Sequence, residues 1–261
     1  MSLKNYSYRL LFLLVFLGLI LYPKGSASAI NKDSIFSRET LEYSIKWQNF
    51  VGAGHSTLSI VNIGGTYHIE ATTTSAEWLK YLGIRVKDVV QARSNLELTK
   101  SYNYSANLQE GRYIKSKITR YDHELKKVSY QEDDKTPLEF DLKPYAIDIL
   151  SAIYAVRAQE FKVGESIKTS VFDEKKFYDV ETLILAHELV DIEGRMVGAY
   201  KTKVILQTKG IFDRRGDIYI WFSDDERKVP IIIKSKVSLG SFYVTISNPQ
   251  LLEPAEQTAG N

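Results

Sequence analysis

Apolar and polar residues alternate along much of the chain, and this alternation predicts β-strands. The clearest run covers residues 41–48, and its polar positions occupy the face opposite to the apolar ones. The apolar positions of this run are Leu41, Tyr43, Ile45 and Trp47. A period of two residues is typical of a strand with one buried face. The run therefore predicts a strand at the surface of a packed core.

Similar runs follow, separated by turns rich in glycine, aspartate or proline. Gly52-Ala53-Gly54 and Gly64-Gly65 can supply the positive-φ or bulged conformations that reverse a chain. The runs after residue 48 lie at 56–61, 67–72, 86–93, 102–108, 112–121, 128–130, 167–172, 178–189, 200–207, 218–222, 231–237 and 242–247. Short connections between such runs predict antiparallel neighbours.

Residues 146–159 do not alternate with a period of two. Their apolar residues recur at helical spacing, which predicts a helix. Asp148, near the start, suits the positive end of a helix dipole. Residues 76–84 are either a single helical turn or a loop. One helix among many short strands predicts an all-β fold, either a strongly curved antiparallel sheet or an open β-barrel. We expect the helix to plug or cover its concave side.

The domain organisation follows from the absence of any proline- or serine-rich linker. Residues 30–250 are predicted to form a single antiparallel β domain. The chain end, residues 251–261, is predicted to be a disordered tail.

The N-terminus has the features of a secretory signal peptide. Lys4 and Arg9 precede an apolar run at residues 10–22, and Ala27-Ser28-Ala29 fits a cleavage site for small residues. The run is shorter than the roughly 20 residues of a membrane-spanning helix, so we expect cleavage after residue 29 and no integral membrane anchor. The chain has no cysteine, which excludes a lipid-modified N-terminal cysteine. These features predict a periplasmic protein.

Charge and composition exclude several classes of protein. The chain has 261 residues, of which 44% are hydrophobic and 25% charged, as in a globular protein. Removing Lys4, Arg9 and Lys24 with residues 1–29 leaves 31 basic residues against 32 acidic ones, a net charge of −1. A nearly neutral chain lacks the basic excess expected of a nucleic-acid-binding protein, so no nucleic-acid partner is predicted.

No catalytic motif is evident in the sequence. The four histidines, His55, His68, His123 and His187, lack metal-binding spacing, and no G-x-S-x-G or phosphate-binding glycine motif occurs. The acidic turns at residues 133–134 and 224–226 are typical of solvated turns. We therefore predict no catalytic residues, no metal and no cofactor, and hence a protein that is not an enzyme.

Four residues are predicted to have structural roles. Asp148 and Arg157 lie nine positions apart in the predicted helix, and this spacing places them on roughly opposite faces. We expect each of them to tie the helix to the sheet strands or their loops, and a binding role is the alternative. Gly52 and Gly54 are expected to shape the first turn.

Aromatic residues are the remaining functional signal, with 17 Tyr, 11 Phe and 3 Trp in the chain. Many of them fit β propensity and core packing. An unfilled concavity lined by aromatic rings would instead hold an apolar ligand. The candidate ligand-binding residues are Tyr43, Trp47, Trp78 and Trp221.

Three segments give the chain a resemblance to the bacterial domain-of-unknown-function family 3108. They are LEYSIKWQNFVGAGHSTLSI, DILSAIYAVRAQEFKVGE and IYIWFSDDERKVPIIIKSKVSLGSF. The resemblance spans about residues 40–247. It implies an exported protein without an established activity. In shape, the predicted sheet is distantly similar to the periplasmic lipoprotein carriers of the Lol pathway, although shape alone does not define function.

Three hypotheses about function follow. The first is a non-enzymatic periplasmic protein whose curved sheet binds or shields a hydrophobic or lipid-like molecule. The second is an envelope assembly or interaction module that binds a protein or glycan partner through its sheet edge or loops. The third is an unrecognised hydrolase. The filling of the sheet interior separates the first hypothesis from the second.

Overall fold

The computed structural model describes residues 36–48, 50–207, 217–237 and 240–252, which form one large sheet around one α-helix. The strands are β1 (Arg38–Trp47), β2 (Val51–Ile63), β3 (Thr66–Ser75), β4 (Lys87–Asn95), β5 (Ser101–Glu110), β6 (Tyr113–Asp122), β7 (Lys127–Glu132), β8 (Leu138–Asp141), β9 (Ala146–Ile147), β10 (Ser166–Asp173), β11 (Lys176–Ile192), β12 (Arg195–Gln207), β13 (Ile218–Ser223), β14 (Pro230–Val237) and β15 (Gly240–Ile246). The helices are α1 (Ile149–Arg157) and two 3-10 helices, Glu77–Leu82 and Pro249–Leu251. The predicted signal peptide lies outside the described residues.

The strands follow one another in space as a continuous meander. Their order is β8-β7-β6-β5-β4-β3-β2-β1-β15-β14-β13-β12-β11-β10-β9. The first and last strands pair antiparallel in the middle of the sheet, with Tyr43 opposite Ile246. The predicted fold class, a curled antiparallel sheet with one helix, is confirmed.

The prediction for the helix is wrong at its start. Ala146 and Ile147 form the short strand β9, which pairs parallel to β10 and is the one parallel pair among the described strands. The α-helix begins at Ile149, because the side chain of Asp148 accepts a hydrogen bond from the backbone N–H of Ser151 and so caps it. The helix ends at Arg157 rather than at residue 159.

Helix α1 occupies the interior of the curled sheet. Eight of its nine residues are buried, and it packs against β3, β4 and β10. The inward-facing positions of β1, Leu41, Tyr43 and Ile45, are also buried, as their alternation predicts. The core therefore combines one face of the sheet with almost the whole circumference of the helix.

The two edges of the sheet approach each other without forming a ladder, and side chains join them. The rings of Phe140 in β8 and Phe172 in β10 lie 5.4 Å apart. The hydroxyl of Tyr121 donates to the carbonyl oxygen of Phe172 at 3.4 Å, and Lys117 in β6 pairs with Glu174 in the β10–β11 turn. The sheet is therefore closed on one side by packing and an ion pair.

The expected chain reversal at Gly52-Ala53-Gly54 is wrong. Gln48 and Phe50 lie in the turn, whereas Gly52, Ala53 and Gly54 all belong to β2. The register against β1 shifts between Ile45 and Lys46, which leaves Ala53 as an extra residue in a β-bulge. A bulge is thus present where glycines suggested one, but the chain continues as a strand.

Other boundaries also differ from the prediction. For residues 76–84 the helical alternative applies, as a 3-10 helix at Glu77–Leu82. The strand β8 was not predicted, since four residues carry little periodicity. Leu252 is buried, and its carbonyl oxygen accepts a hydrogen bond from Nη2 of Arg195 at 2.6 Å. The predicted disorder is therefore wrong for residues 251 and 252, while 253–261 lie outside the described residues.

None of the helices in the described part of the chain combines the length and apolarity that a membrane crossing requires.

Candidate functional site

The four aromatic residues predicted to bind a ligand do not form one site. Tyr43 is buried on the inner face of the sheet. Trp221 lies on the outer face, where its Nε1 donates to Glu188 at 2.6 Å. Trp47 and Trp78 are partly exposed at one end of the sheet, and Nε1 of Trp78 donates to the carbonyl oxygen of Gly52 at 2.7 Å. Tyr43 and Trp47 share the same face of β1, but Trp47 lies at the exposed end of that strand. Trp78 lies in the 3-10 helix Glu77–Leu82, and Trp221 is on the outer face of β13.

The two polar residues of the helix are bonded to different parts of the sheet. The carboxylate of Asp148 accepts hydrogen bonds from the hydroxyls of Ser101 in β5 and Ser151. The guanidinium of Arg157 donates to both carboxylate oxygens of Glu39 in β1, at 2.6 and 2.7 Å. Nε of Arg157 also donates to two carbonyl oxygens, those of residues 227 and 228.

The buried surroundings of Asp148 and Arg157 shift the pKa values of both residues. Desolvation raises the pKa of Asp148, against the hydrogen bonds that it accepts from Ser101 and Ser151. Burial alone would lower the pKa of Arg157, but the adjacent Glu39 carboxylate raises it above its ordinary value. The helix is thus held at both ends by contacts that satisfy buried polar groups.

The sheet interior contains a small cavity beneath β4, β5 and β6. Its volume is about 30 Å³, and Asp88, Leu108, Lys117 and Ile149 contribute to its lining. This volume is enough for about one water molecule and too small for a lipid chain. Around this cavity, the helix and the inward side chains leave no room for a larger ligand.

Asp88, at this cavity, is the residue for which we expect a measurable pH effect. Burial raises its pKa from the ordinary 3.8 to about 6, against a hydrogen bond from the backbone N–H of Gln109. Between these two pH values the folded chain binds more protons than the unfolded chain, so this group destabilises the fold as pH rises. Asp88→Asn removes this contribution, so the free energy of unfolding of the variant minus that of the wild type should rise between roughly pH 4 and 6.

Urea titrations at several pH values would measure this effect, with Asp134→Asn in an exposed turn as the control. The same slope in wild type and Asp88→Asn would contradict the expectation.

A much larger concavity lies on the outer face of the sheet, over β2 to β8. This outer groove has a volume of about 1400 Å³. Most of its side chains point away from the interior, and the groove reflects the twist of the sheet. Its polar and aromatic lining includes His68, Glu70, Gln91, Arg93, Tyr102, Asn103, Ser105, Arg120, Asp122, His123, Glu124, Lys127 and Glu139.

A β-bulge directs Tyr102 into the outer groove. The register between β4 and β5 pairs Arg93 with Asn103 and Ser94 with Ser101, so that Tyr102 is the extra residue. Ser101 can therefore point inward to Asp148 while its neighbour Tyr102 points outward. The bulge thus allows Ser101 to contact the helix and Tyr102 to line the outer groove.

Charged and aromatic side chains surround the ring of Tyr102. The guanidinium carbon of Arg93 lies 5.5 Å from the ring centroid, and the ring of His123 lies edge-on at 6.2 Å. Nε2 of His123 is 2.7 Å from the carbonyl oxygen of Ser101, which fixes the imidazole. The ring is therefore held in place as a half-exposed platform at the wall of the groove.

The outer groove has no strong charge of either sign. Three basic residues, Arg93, Arg120 and Lys127, line it together with four acidic ones, Glu70, Asp122, Glu124 and Glu139. Two of these are already paired: Gln91 donates to Glu70 at 2.7 Å, and Lys127 pairs with Asp141 at 2.7 Å. The groove therefore suits a polar partner of low net charge.

The candidate acids in the turns are engaged in local contacts. Asp133 accepts hydrogen bonds from Lys115 and from the backbone of Ser116, and Asp225 accepts from Ser223 and Arg227. His187 lies 2.9 Å from Asp224 in an exposed pair. Within the part of the chain that the structure describes, no group of three or more histidine, aspartate or glutamate residues is arranged to hold a metal ion.

The fold and the groove define a β-barrel-like protein that consists of an open, curled sheet around an internal helix. The chain belongs to the family described as protein of unknown function (DUF3108), whose sequence profile matches residues 42–247. This agrees with the resemblance noted from the sequence motifs. No match was found among curated proteins.

Two solved structures resemble this fold at low sequence identity. A β-barrel-like protein of the domain of unknown function DUF1849 from Brucella abortus has a TM-score of 0.55 and 7% identity, with 81% of this chain and 96% of that chain covered. A candidate exported protein with a YmcC-like fold from Bacteroides fragilis has a TM-score of 0.33 and 7% identity, with coverage of 87% and 97%. The first likeness supports the fold alone.

Proposed function

We propose that this chain is an exported, non-enzymatic binding module of the bacterial cell envelope, and that it holds an extended glycan in the outer groove. The observation that carries the proposal is the platform of Tyr102, which a bulge in β5 presents to a groove of about 1400 Å³. Export is supported by the signal-peptide features of residues 1–29.

The chemistry of a sheet face favours a glycan over a peptide. Backbone N–H and C=O groups in the middle of a sheet are used in the ladders, so recognition there depends on side chains. Gln91, Asn103 and Ser105 offer both donors and acceptors to hydroxyl groups, and the ring of Tyr102 offers an apolar surface to the C–H face of a sugar. The near balance of charges favours a glycan without strong charge.

The hypothesis of a hydrophobic ligand inside the sheet has less support. A lipid-like molecule would have to displace α1, whose two ends are bonded to Ser101 and Glu39. The nearby cavity of about 30 Å³ offers no room without that movement. Native mass spectrometry of the gently purified protein would detect a retained lipid, and such a result would support this hypothesis over the proposed one.

Binding of neutral linear oligosaccharides tests the proposal. We expect calorimetry with hexamers of glucose or N-acetylglucosamine to detect binding by the wild-type chain. Tyr102→Ala should weaken it about tenfold, the order expected for a lost aromatic contact. Tyr81→Ala is the matched control, since Tyr81 is exposed and lies outside the groove. Absence of binding across the panel, or equal binding by Tyr102→Ala, would refute the proposal.

A further inference from the structure

Exposed apolar side chains cluster at one end of the sheet, which we call the aromatic rim. The rim consists of the described residues within 46–52, 76–87 and 110–114, which connect β1 to β2, β3 to β4 and β5 to β6. Its large apolar side chains and their exposed fractions are Trp47 37%, Phe50 79%, Trp78 38%, Tyr81 82%, Leu82 66% and Ile114 70%. Scattered single exposures are ordinary, but a continuous patch marks an interaction surface.

Hydrogen bonds link the three connections that form the aromatic rim. Ala76 donates its N–H to the carbonyl oxygen of Ala53 at 2.8 Å, and Trp78 donates to that of Gly52 at 2.7 Å. These bonds fix the 3-10 helix Glu77–Leu82 against the start of β2. At its other end, the N–H of Gly111 donates to the carbonyl oxygen of Arg85 at 2.6 Å. The three connections are therefore held side by side.

Basic residues surround these apolar side chains. The rim carries Lys46, Lys80, Arg85, Lys87 and Arg112, all exposed, against two acidic residues, Glu77 and Glu110. Glu77 is itself paired with Lys80 at 2.6 Å. This excess of positive charge distinguishes the rim from the outer groove, where acidic residues slightly outnumber basic ones.

We infer that the aromatic rim docks this protein on an anionic phospholipid surface. Trp and Tyr rings favour the headgroup region of a bilayer, because one end of each ring is apolar and the other polar. Phe50 and Leu82 enter the boundary between headgroups and acyl chains, and the surrounding ammonium and guanidinium groups contact lipid phosphates. The inference is independent of the glycan proposal, since the two surfaces share no residue.

The buried face of the rim is suited to this role. Leu79 of the same 3-10 helix points inward and is nearly buried, so the helix is anchored while Trp78, Tyr81 and Leu82 face outward. Gly83 ends the helix in the left-handed conformation with φ of 74°. The apolar side chains are therefore presented on a rigid base, which lowers the entropy lost on docking.

Tryptophan quenching by brominated lipids tests this inference. The three tryptophans are Trp47, Trp78 and Trp221, and residues 1–29 contain none, so binding through the apolar N-terminal run gives no direct signal. In a Trp221→Phe background, we expect strong quenching with vesicles of brominated phosphatidylcholine and phosphatidylglycerol in equal parts. Vesicles without phosphatidylglycerol should quench at least several-fold less, and high salt should weaken the effect.

Two sets of variants separate docking from folding. Phe50→Ser with Tyr81→Ser, and independently Arg85→Gln with Arg112→Gln, should each lower partitioning by about tenfold. Val163→Ser with Leu189→Ser, two exposed apolar positions outside the rim, is the control and should partition as the wild type does. Unchanged partitioning of both rim variants, equal quenching by neutral vesicles, or no quenching by anionic vesicles would overturn the inference.

Discussion

Replacing Arg157 by leucine should destabilise the fold more than any other single change considered for this protein, by about 3–5 kcal/mol. The guanidinium is buried and bonded to both carboxylate oxygens of Glu39, whose side chain is only 9% exposed. Leucine would leave that carboxylate and the carbonyl oxygens of residues 227 and 228 without these donors. The midpoint of urea denaturation at neutral pH would measure the loss.

Arg85→Leu is the matched control, because Arg85 is exposed at the surface and the chemical change is the same. It should shift the free energy of unfolding by less than about 0.5 kcal/mol. Adding Glu39→Leu to Arg157→Leu should recover part of the stability, since the unpaired carboxylate is then removed. A loss below about 1 kcal/mol for Arg157→Leu would show that the buried pair does not anchor the helix.

Gly54→Val should be the second most destabilising change, at about 3 kcal/mol, near the upper end of the effects of overpacking. A Cβ atom at Gly54 would collide with the carbonyl oxygen of Thr74 in β3 and would lie 3.1 Å from the Cα of Ser75. Both obstacles belong to the backbone, so no change of side-chain rotamer can relieve them. The strands β2 and β3 would have to separate locally, with loss of ladder hydrogen bonds.

Gly52→Val tests whether this effect is steric. A Cβ at Gly52 meets no atom within 4 Å, although the residue lies in the same strand only two positions away. Thermal unfolding of the two variants should show a much lower midpoint for Gly54→Val and little change for Gly52→Val. Similar midpoints for both would indicate that loss of glycine flexibility, not close packing, is responsible.

Alternation of apolar and polar residues was sufficient to predict most of the fold. In β1, Leu41, Tyr43 and Ile45 are buried as the period of two requires, and α1 was recognised from the helical spacing of its apolar residues. Elements of two or four residues, β9 and β8, carry too little periodicity to be detected. The bulge at Ala53 depends on the partner strand, which the local sequence does not specify.

The candidate sites were much less predictable. Strand parity places Tyr43 on the face opposite to its polar neighbours, but only the folded sheet shows which face is inside. The outer groove is formed by polar positions such as Gln91, Arg93 and Asn103, which in the sequence are ordinary outward residues of strands. Its aromatic platform depends on the bulge at Tyr102, a property of the pairing between β4 and β5.

The pairing of β1 with β15 determines when the sheet can be completed. The hydroxyls of Ser44 and Ser247 bond across these strands at 2.9 Å, although 203 positions of the chain separate them. During synthesis, β1 therefore keeps one edge unpaired until β15 has been made. Such a non-local closure is slow and leaves an exposed strand edge meanwhile. Because an unpaired strand edge can pair with another chain, we expect this late closure to be the step of folding at which aggregation competes most.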